Sequence, residues 1–207
     1  MYVTDKHHRS AAASRTREAR KARNPGHTGQ EEYNFFLVVI FPHDQMQIMD
    51  YNRVILTLGG LSNEAFLEEL REKFEVGPGK AEKPGAVHEF GLCLGGTWHK
   101  LRAKDGTYDP TDPISVLDVS IMQRNVLQPI LGIEDPRTDK RLDFVGGIRG
   151  IAELERRVRE GAAAAIAFHP TTVKQLMAIA DAGQIMPPKS TWFEPKLRSG
   201  LVLHPFE

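Results

Sequence analysis

Residues 2–20 read YVTDKHHRSAAASRTREAR. Tyr2-Val3-Thr4 is β-prone, Asp5-Lys6-His7-His8 interrupts it, and Arg9 to Arg23 is rich in alanine and arginine, both strong helix formers. A strand, a charged turn and a helix are therefore expected in succession, with Asn24-Pro25-Gly26 ending the helix. A helix N-terminus carries unpaired N–H groups and partial positive charge, so it attracts phosphate. Arg9 adds a guanidinium fork suited to phosphate oxygens. His7 and His8 add hydrogen-bond donors of a kind that can also move a proton at neutral pH. Asp5 could orient an imidazole, act as a base, hold magnesium, or only cap the helix beside two exposed histidines.

Outward from this stretch, the charge is uneven. The chain has 207 residues, with 27 Lys+Arg against 27 Asp+Glu. Between Lys6 and Arg23, however, the cations Lys6, Arg9, Arg15, Arg17, Arg20, Lys21 and Arg23 face only Glu18. Such a local field draws anions whatever the net charge. A nucleotide, a phosphorylated metabolite or a nucleic acid would satisfy it, and so would water around a basic helix face. At 41% hydrophobic and 26% charged residues the chain can build an ordinary core. Its longest apolar run, Phe35 to Phe41 (FFLVVIF), has a strand's length and falls far short of the ~20 residues a membrane helix needs. No secretory signal is visible, and the single cysteine, Cys93, excludes an internal disulfide. A cytoplasmic protein is expected.

Downstream, Tyr33 to Phe41 is apolar on both alternating faces and predicts a buried strand. Gln47 to Leu56 alternates as a second strand, and Ser62 or Asn63 caps a helix through Phe74. Gly77 to Gly85 (GPGKAEKPG) reads as a flexible loop. His88–Leu94 and Thr97–Ala103 form a hairpin around Gly95-Gly96. Ser115 to Leu131 reads as helix, shortened or kinked by Pro129. Leu142–Val145 (strand), Ile148–Arg159 (helix), Ala163–Phe168 (strand) and Thr171–Ala182 (helix) follow. The class is α+β, with helices packed on a mixed sheet. A β-rich part over 1–114 and an α/β part over 115–207, packed as one unit, are expected.

Two further segments carry ligand-type side chains. Pro187-Pro188-Lys189-Ser190-Thr191-Trp192-Phe193-Glu194-Pro195-Lys196 offers lysines and hydroxyls to a phosphate on a stiffened approach, or packs as a closing loop. Its lack of glycines excludes a Walker A loop. Glu134 to Arg141 alternates charges, giving structural ion pairs or a substrate contact through Arg137. The remaining histidines show no metal-ligand spacing. Cys93, between Leu92 and Leu94, reads as buried. The run from Thr171 begins like a helix-turn-helix, but Pro187-Pro188 blocks a recognition helix. Nucleic-acid binding would therefore rest on the basic helix alone.

Three segments resemble one family. YVTDKHHRSAAASRTREAR is similar to the DGHHR-type motif of the prokaryotic domain of unknown function 1015, IMPPKSTWFEPKLRSGL to its C-terminal signature, and GIEDPRTDKRLDFVGG to an internal one. Members are about twice this length, so the resemblance implies the C-terminal half of a longer fold. The DGHHR segment in turn resembles the ParB/sulfiredoxin-like superfamily, which includes nucleotide hydrolases, sulfiredoxins and free-serine kinases. There a strand–loop–helix holds nucleotide phosphates. The absence of a cysteine from the DKHHR loop argues against sulfiredoxin chemistry. The resemblance implies catalytic roles for Asp5, His7 and His8, phosphate contacts from His8, Arg9, Lys189, Ser190 and Thr191, and substrate contacts from Arg137 and Lys196. ATP or ADP with Mg2+ and small-molecule phosphotransfer are the implied ligand and reaction. A non-catalytic ligand sensor, a nucleic-acid-associated module and an inactive fragment are the alternatives, and an unpaired N-terminal strand makes a homo-oligomer the expected assembly. Lys6 replaces the motif's glycine. If the turn needs positive φ, a side chain there costs roughly 1–2 kcal/mol.

Overall fold

The computed structural model describes residues 1–198 and 200–205. The chain divides into two units, one formed by Met1–Gln47 with Phe193–Glu207, the other by Ile48–Trp192. Residue 114, where a boundary is expected from the sequence, lies inside the second unit.

The second unit is built on a six-stranded sheet. Its strands are β2 (Tyr51–Ile55), β3 (Phe74–Pro78), β4 (Glu89–Leu94), β5 (Thr97–Ala103), β6 (Leu142–Gly146) and β7 (Ala164–Phe168), in the order β3-β5-β4-β7-β2-β6. All five pairings are antiparallel, so the class is α+β. The short strands β1 (Gln47–Met49) and β8 (Trp192–Glu194) pair separately.

Alternation decides which helix covers which face. Phe90, Leu92 and Leu94 of β4 and Ala164, Ile166 and Phe168 of β7 point to one side. That side packs on α2 (Asn63–Lys73), α3 (Asp118–Met122) and α5 (Val173–Asp181) through Phe66, Leu70, Ile121, Met122 and Ile179. The residues between them, Cys93, Ala165 and Ala167, form the other side with Val54, Trp98 and Val145, and α4 (Gly150–Arg159) lies there through Leu154. These small side chains let the helix approach closely, and Trp98 Nε1 donates to Glu155 of α4 at 3.0 Å. The expected burial of Cys93 is met. Ser62 caps α2 by accepting from Ala65 N–H at 3.1 Å, and Thr172 with Gln175 forms a reciprocal capping box on α5.

Several expectations need correction. Tyr2–Thr4 forms no strand, so the opening is a turn and a helix without the strand before them. Tyr33–Phe41 is not a buried strand: Glu32–Asn34 make a single 3-10 turn and Phe35–Ile40 remain exposed. A strand apolar on both faces needs a layer on each, and the described residues of the first unit supply none. The strand expected over Gln47–Leu56 breaks at Asp50, whose carbonyl accepts from Gly147 N–H at 2.8 Å. The helix expected over Ser115–Leu131 is shorter and widens into a π-turn at Gln123–Leu127. Gln128 N–H bonds Gln123 and Leu131 N–H bonds Val126, each five residues back, on either side of Pro129, which has no N–H to give. The loop read as flexible over Gly77–Gly85 begins inside β3 and is anchored by Lys83, whose ammonium lies 2.8 Å from Asp50.

The first unit is held by polar contacts. Its helix α1 (His7–Ala22) buries no residue. Arg17 Nε donates to Asn34 at 3.2 Å, and the Tyr33 hydroxyl meets Asn24 Nδ2 at 3.1 Å and His27 Nδ1 at 3.0 Å. Glu31 gathers Thr28 N–H, Thr28 Oγ1, Gly29 N–H and Asn34 Nδ2 within 3.0 Å. The Thr28 N–H above all holds its carboxyl down at about 2.

Candidate anion site

The opening turn of the first unit adopts an anion-accepting backbone. Lys6, at the position preceding α1, is left-handed (φ 62, ψ 26) and is followed directly by helical His7. Successive residues of opposite hand point their N–H groups into one concavity, a nest. Arg9 and Ser10 N–H both donate to the Lys6 carbonyl, at 2.8 and 3.2 Å. The N–H groups of His7 and His8 are left without a partner among the described residues. No acidic residue stands in the first helical turn and no side chain caps it. Asp5, for which capping was one of the alternatives, does not cap the helix but accepts from Lys6 N–H at 2.8 Å through Oδ1.

The same carboxylate draws in the distant chain. Lys196 Nζ lies 3.3 Å from Asp5 Oδ2, so two residues predicted as site members from opposite ends of the sequence meet here. Partial burial would raise the Asp5 pKa, but the Lys6 N–H and the Lys196 ammonium outweigh it and hold the carboxyl below the usual aspartate range. Asp5 is thus an anion that orients donors. The His7 and His8 rings stand 5.4 Å apart and tilted, and both residues and Arg9 are exposed.

Strain at Lys6 gives a direct test. Glycine at this position removes the left-handed penalty, so K6G should stabilise the opening turn by about 1 kcal/mol. Slower amide exchange at Arg9 and Ser10 is the expected readout. Faster exchange would show that the lysine side chain contributes more than its backbone costs.

Lys189, Ser190 and Thr191 belong to the second unit, where their loop is packed. Lys189 is left-handed (φ 54) and its carbonyl accepts from Arg53 at 2.8 Å. Its ammonium lies 5.6 Å from the Tyr51 ring centre. Ser190 is buried, its hydroxyl donates to Pro187 O at 2.5 Å, and its carbonyl accepts from Thr171 Oγ1 at 3.1 Å. Arg137 forks Asp135, with contacts at 2.9, 3.2 and 2.8 Å, and both stay at the surface. The Arg137 bond holds the Asp135 carboxyl at about 2.

Sequence reasoning missed a buried polar line that runs from Asp50 into β2. Asp50 and Asn52 are buried, and Asn52 Nδ2 donates to Asp50 Oδ2 at 2.5 Å while its Oδ1 accepts from Phe168 N–H at 2.9 Å. Arg53 is buried between the Phe144 and Phe168 rings, 5.0 Å from each centre. Burial pulls its guanidinium below the ordinary arginine range. Polar residues at alternate positions of a central strand were the signal available. A cleft of about 140 Å³ opens beside β4 and β5, lined by Lys80, Glu82, Lys83, Glu89, His99 and Lys100. Lys100 is matched there by Glu89 at 2.9 Å. Burial first, and Arg71 second, push the His99 pKa down. Among the described residues no group of three or more His, Cys, Asp or Glu side chains could hold a metal ion, and no helix is long and apolar enough to cross a membrane.

Residues 1–120 match the family described as Protein of unknown function (DUF1015), and the chain belongs to that family. No curated protein matches it. Among solved structures it is similar to a free serine kinase in complex with AMP, at 14% identity over 72% of this chain and 54% of that one, with a TM-score of 0.45. A mutant free serine kinase in complex with AMP is similar at 13% identity over 89% and 80%, TM-score 0.45. A conserved hypothetical protein from Pyrococcus furiosus is similar at 12% identity over 72% and 56%, TM-score 0.43. The chain spans little more than half the length of the first of these kinase structures.

Proposed function

We propose that the opening turn of the first unit binds the phosphate of a small molecule, with a nucleotide as the candidate ligand. The observation that carries this reading is the left-handed Lys6 followed by an uncapped helix, which leaves the His7 and His8 N–H groups open at the positive end of α1. Arg9 supplies a charge-assisted fork. Lys196, drawn in by Asp5, adds a second cation beside the nest.

Phosphotransfer is the finer form of this proposal. In such reactions a protein mainly positions groups and neutralises charge, which suits this inventory. Asp5, held ionised, would orient a histidine or accept a proton. A nucleoside di- or triphosphate would bring magnesium on its own phosphates without drawing on Asp5, whose two oxygens face the Lys6 N–H and the Lys196 ammonium.

Binding is tested on the whole chain by thermal denaturation with ATP, ADP, AMP and inorganic phosphate. Ligand at 100 times its Kd should raise Tm by about 5 °C for a protein of this size. The double variant H8A/R9A should abolish the shift. No shift with any of the four ligands would sink the reading. Equal shifts in the double variant would move the ligand elsewhere in the molecule.

A further inference from the structure

Two charged side chains are buried where the chain enters β2, and only one of them is matched. Asp50 has the Lys83 ammonium at 2.8 Å and the Asn52 amide at 2.5 Å on its two oxygens. Arg53 is 4% exposed and forms no ion pair among the described residues. A buried charge without a partner of opposite sign is costly, so proteins seldom keep one. The lowered pKa of Arg53 is the same cost seen from the proton's side.

Only part of the guanidinium is engaged. Nη1 donates to the Tyr51 carbonyl at 2.5 Å and to the Lys189 carbonyl at 2.8 Å, which uses both of its protons. Nε and Nη2 meet no acceptor among the described residues, and this is an edge that can take an oxyanion in two parallel bonds. Asp118 Oδ2, Gln123 Oε1 and His169 Nδ1 are the described side-chain atoms both sealed from solvent and unpartnered, and no nitrogen of Arg53 is with them. The free edge therefore reaches solvent. The Phe144 and Phe168 rings flank it, each centred 5.0 Å from the guanidinium carbon.

A second unmatched cation stands close by. Lys189 lies in a loop tied down at three points: the Ser190 hydroxyl donates to Pro187 O, Thr171 Oγ1 donates to Ser190 O, and Arg53 holds the Lys189 carbonyl itself. Within that loop Lys189 is left-handed, at φ 54, a conformation unfavourable for a residue with a side chain. Its ammonium forms no ion pair or hydrogen bond among the described residues and lies 5.6 Å from the Tyr51 ring centre. Tyr51 thus has one cation on its carbonyl and another against its ring, with no carboxylate paired to either.

We propose that the Nε–Nη2 edge of Arg53 binds the carboxylate of a small organic acid, with the Lys189 ammonium as its second contact. A planar carboxylate matches the guanidinium fork atom for atom. It also lies in the plane between the two flanking rings, where a tetrahedral phosphate would turn oxygens toward their negative faces. Binding there supplies the opposite charge that the buried cation lacks. Every residue of this site belongs to the second unit. It therefore stands apart from the phosphate reading of the opening turn, and either can fail without the other.

The test is a nuclear magnetic resonance titration of the whole chain, labelled with nitrogen-15, at neutral pH. Sodium acetate is the probe, with sodium phosphate and sodium chloride at equal ionic strength beside it. Acetate should move the Arg53 Nε–H and the Tyr51 and Lys189 amide resonances and saturate, with a Kd on the order of 10 mM for so small a ligand. Phosphate and chloride should not saturate them. K189M, at an exposed position, should weaken acetate binding about fivefold. R53M should abolish the amide shifts, and H8A/R9A should leave them unchanged. A wild-type acetate response no larger than that of chloride overturns the inference. So does phosphate saturating at a lower concentration than acetate, or a K189M response equal to that of wild type. The wild-type and K189M titrations decide the matter even where R53M does not fold.

Discussion

Replacing Phe168 with alanine should destabilise the second unit by about 3–5 kcal/mol, the range for removing a buried aromatic side chain. Phe168 is fully buried at the end of β7, directly opposite Phe90 across the β4–β7 pairing. The Phe90 ring stands edge-on between two others, Phe168 at 5.5 Å and Phe74 at 5.7 Å. Phe168 also forms one of the two aromatic faces around the buried Arg53 guanidinium. Its loss therefore opens a cavity and uncovers a cation together. F168L, which restores most of the volume but not the ring, should recover the packing term and leave the Arg53 term missing. Urea midpoints of the three proteins measure both. An F168A midpoint within error of wild type would mean that this aromatic line does not support the sheet.

The second large effect is a pH dependence carried by Asp118. Burial pushes its carboxyl up to about 7, against a smaller lowering by the His88 N–H that donates to Oδ1 at 2.8 Å. Its other oxygen, Oδ2, has no hydrogen-bond partner among the described residues. The unfolded chain ionises this group near its ordinary value of 3.8, so between that pH and about 7 the folded state binds more protons than the unfolded one. Stability must fall as pH rises through that window and level off above it. At 1.36 kcal/mol per pKa unit the loss is about 4 kcal/mol. D118N keeps an acceptor for His88 and has no proton to lose. Its urea midpoint should exceed that of wild type at pH 8 and approach it at pH 5. Parallel midpoint curves for the two proteins across pH 5 to 8 would contradict this account of Asp118.

The second unit was legible in the sequence because its signals are local and redundant. Gly95-Gly96 between alternating runs fixed the β4–β5 hairpin, and both glycines do take positive φ, at 55 and 84. Ala164–Phe168, short and wholly apolar, could only be an interior strand. What failed was reading that depends on neighbours. FFLVVIF carries the composition of an interior strand, but composition cannot say whether flanking strands exist. Tyr2–Thr4 failed for the same reason. The widening of α3 at Gln123 follows from one proline several residues on, a coupling that periodicity does not register.

The opening motif was read as a strand, a loop and a helix from Arg9; the helix is there but starts two residues earlier, at His7, and Lys196 meets the turn at Asp5. Lys189 and Ser190 were singled out for their side-chain chemistry. Ser190, however, spends its hydroxyl on Pro187, and Arg53 holds the Lys189 carbonyl. A list of residue types does not separate a hydroxyl offered to a ligand from one already engaged by the backbone. Whether the turn needs positive φ at Lys6 was left open by the sequence, and the structure gives it a φ of 62.

One topological fact bears on how the molecule is made. The second unit is an unbroken stretch, Ile48–Trp192, whereas the first is assembled from the two segments on either side of it. A ribosome therefore releases every strand of the six-membered sheet before Phe193 and Lys196 emerge. Translation that stopped just after Trp192 would deliver the insert whole and leave its host without the ammonium that Asp5 gathers in. Any quality-control step acting on nascent chains would meet the sheet finished and the DKHHR turn still waiting for its distal half.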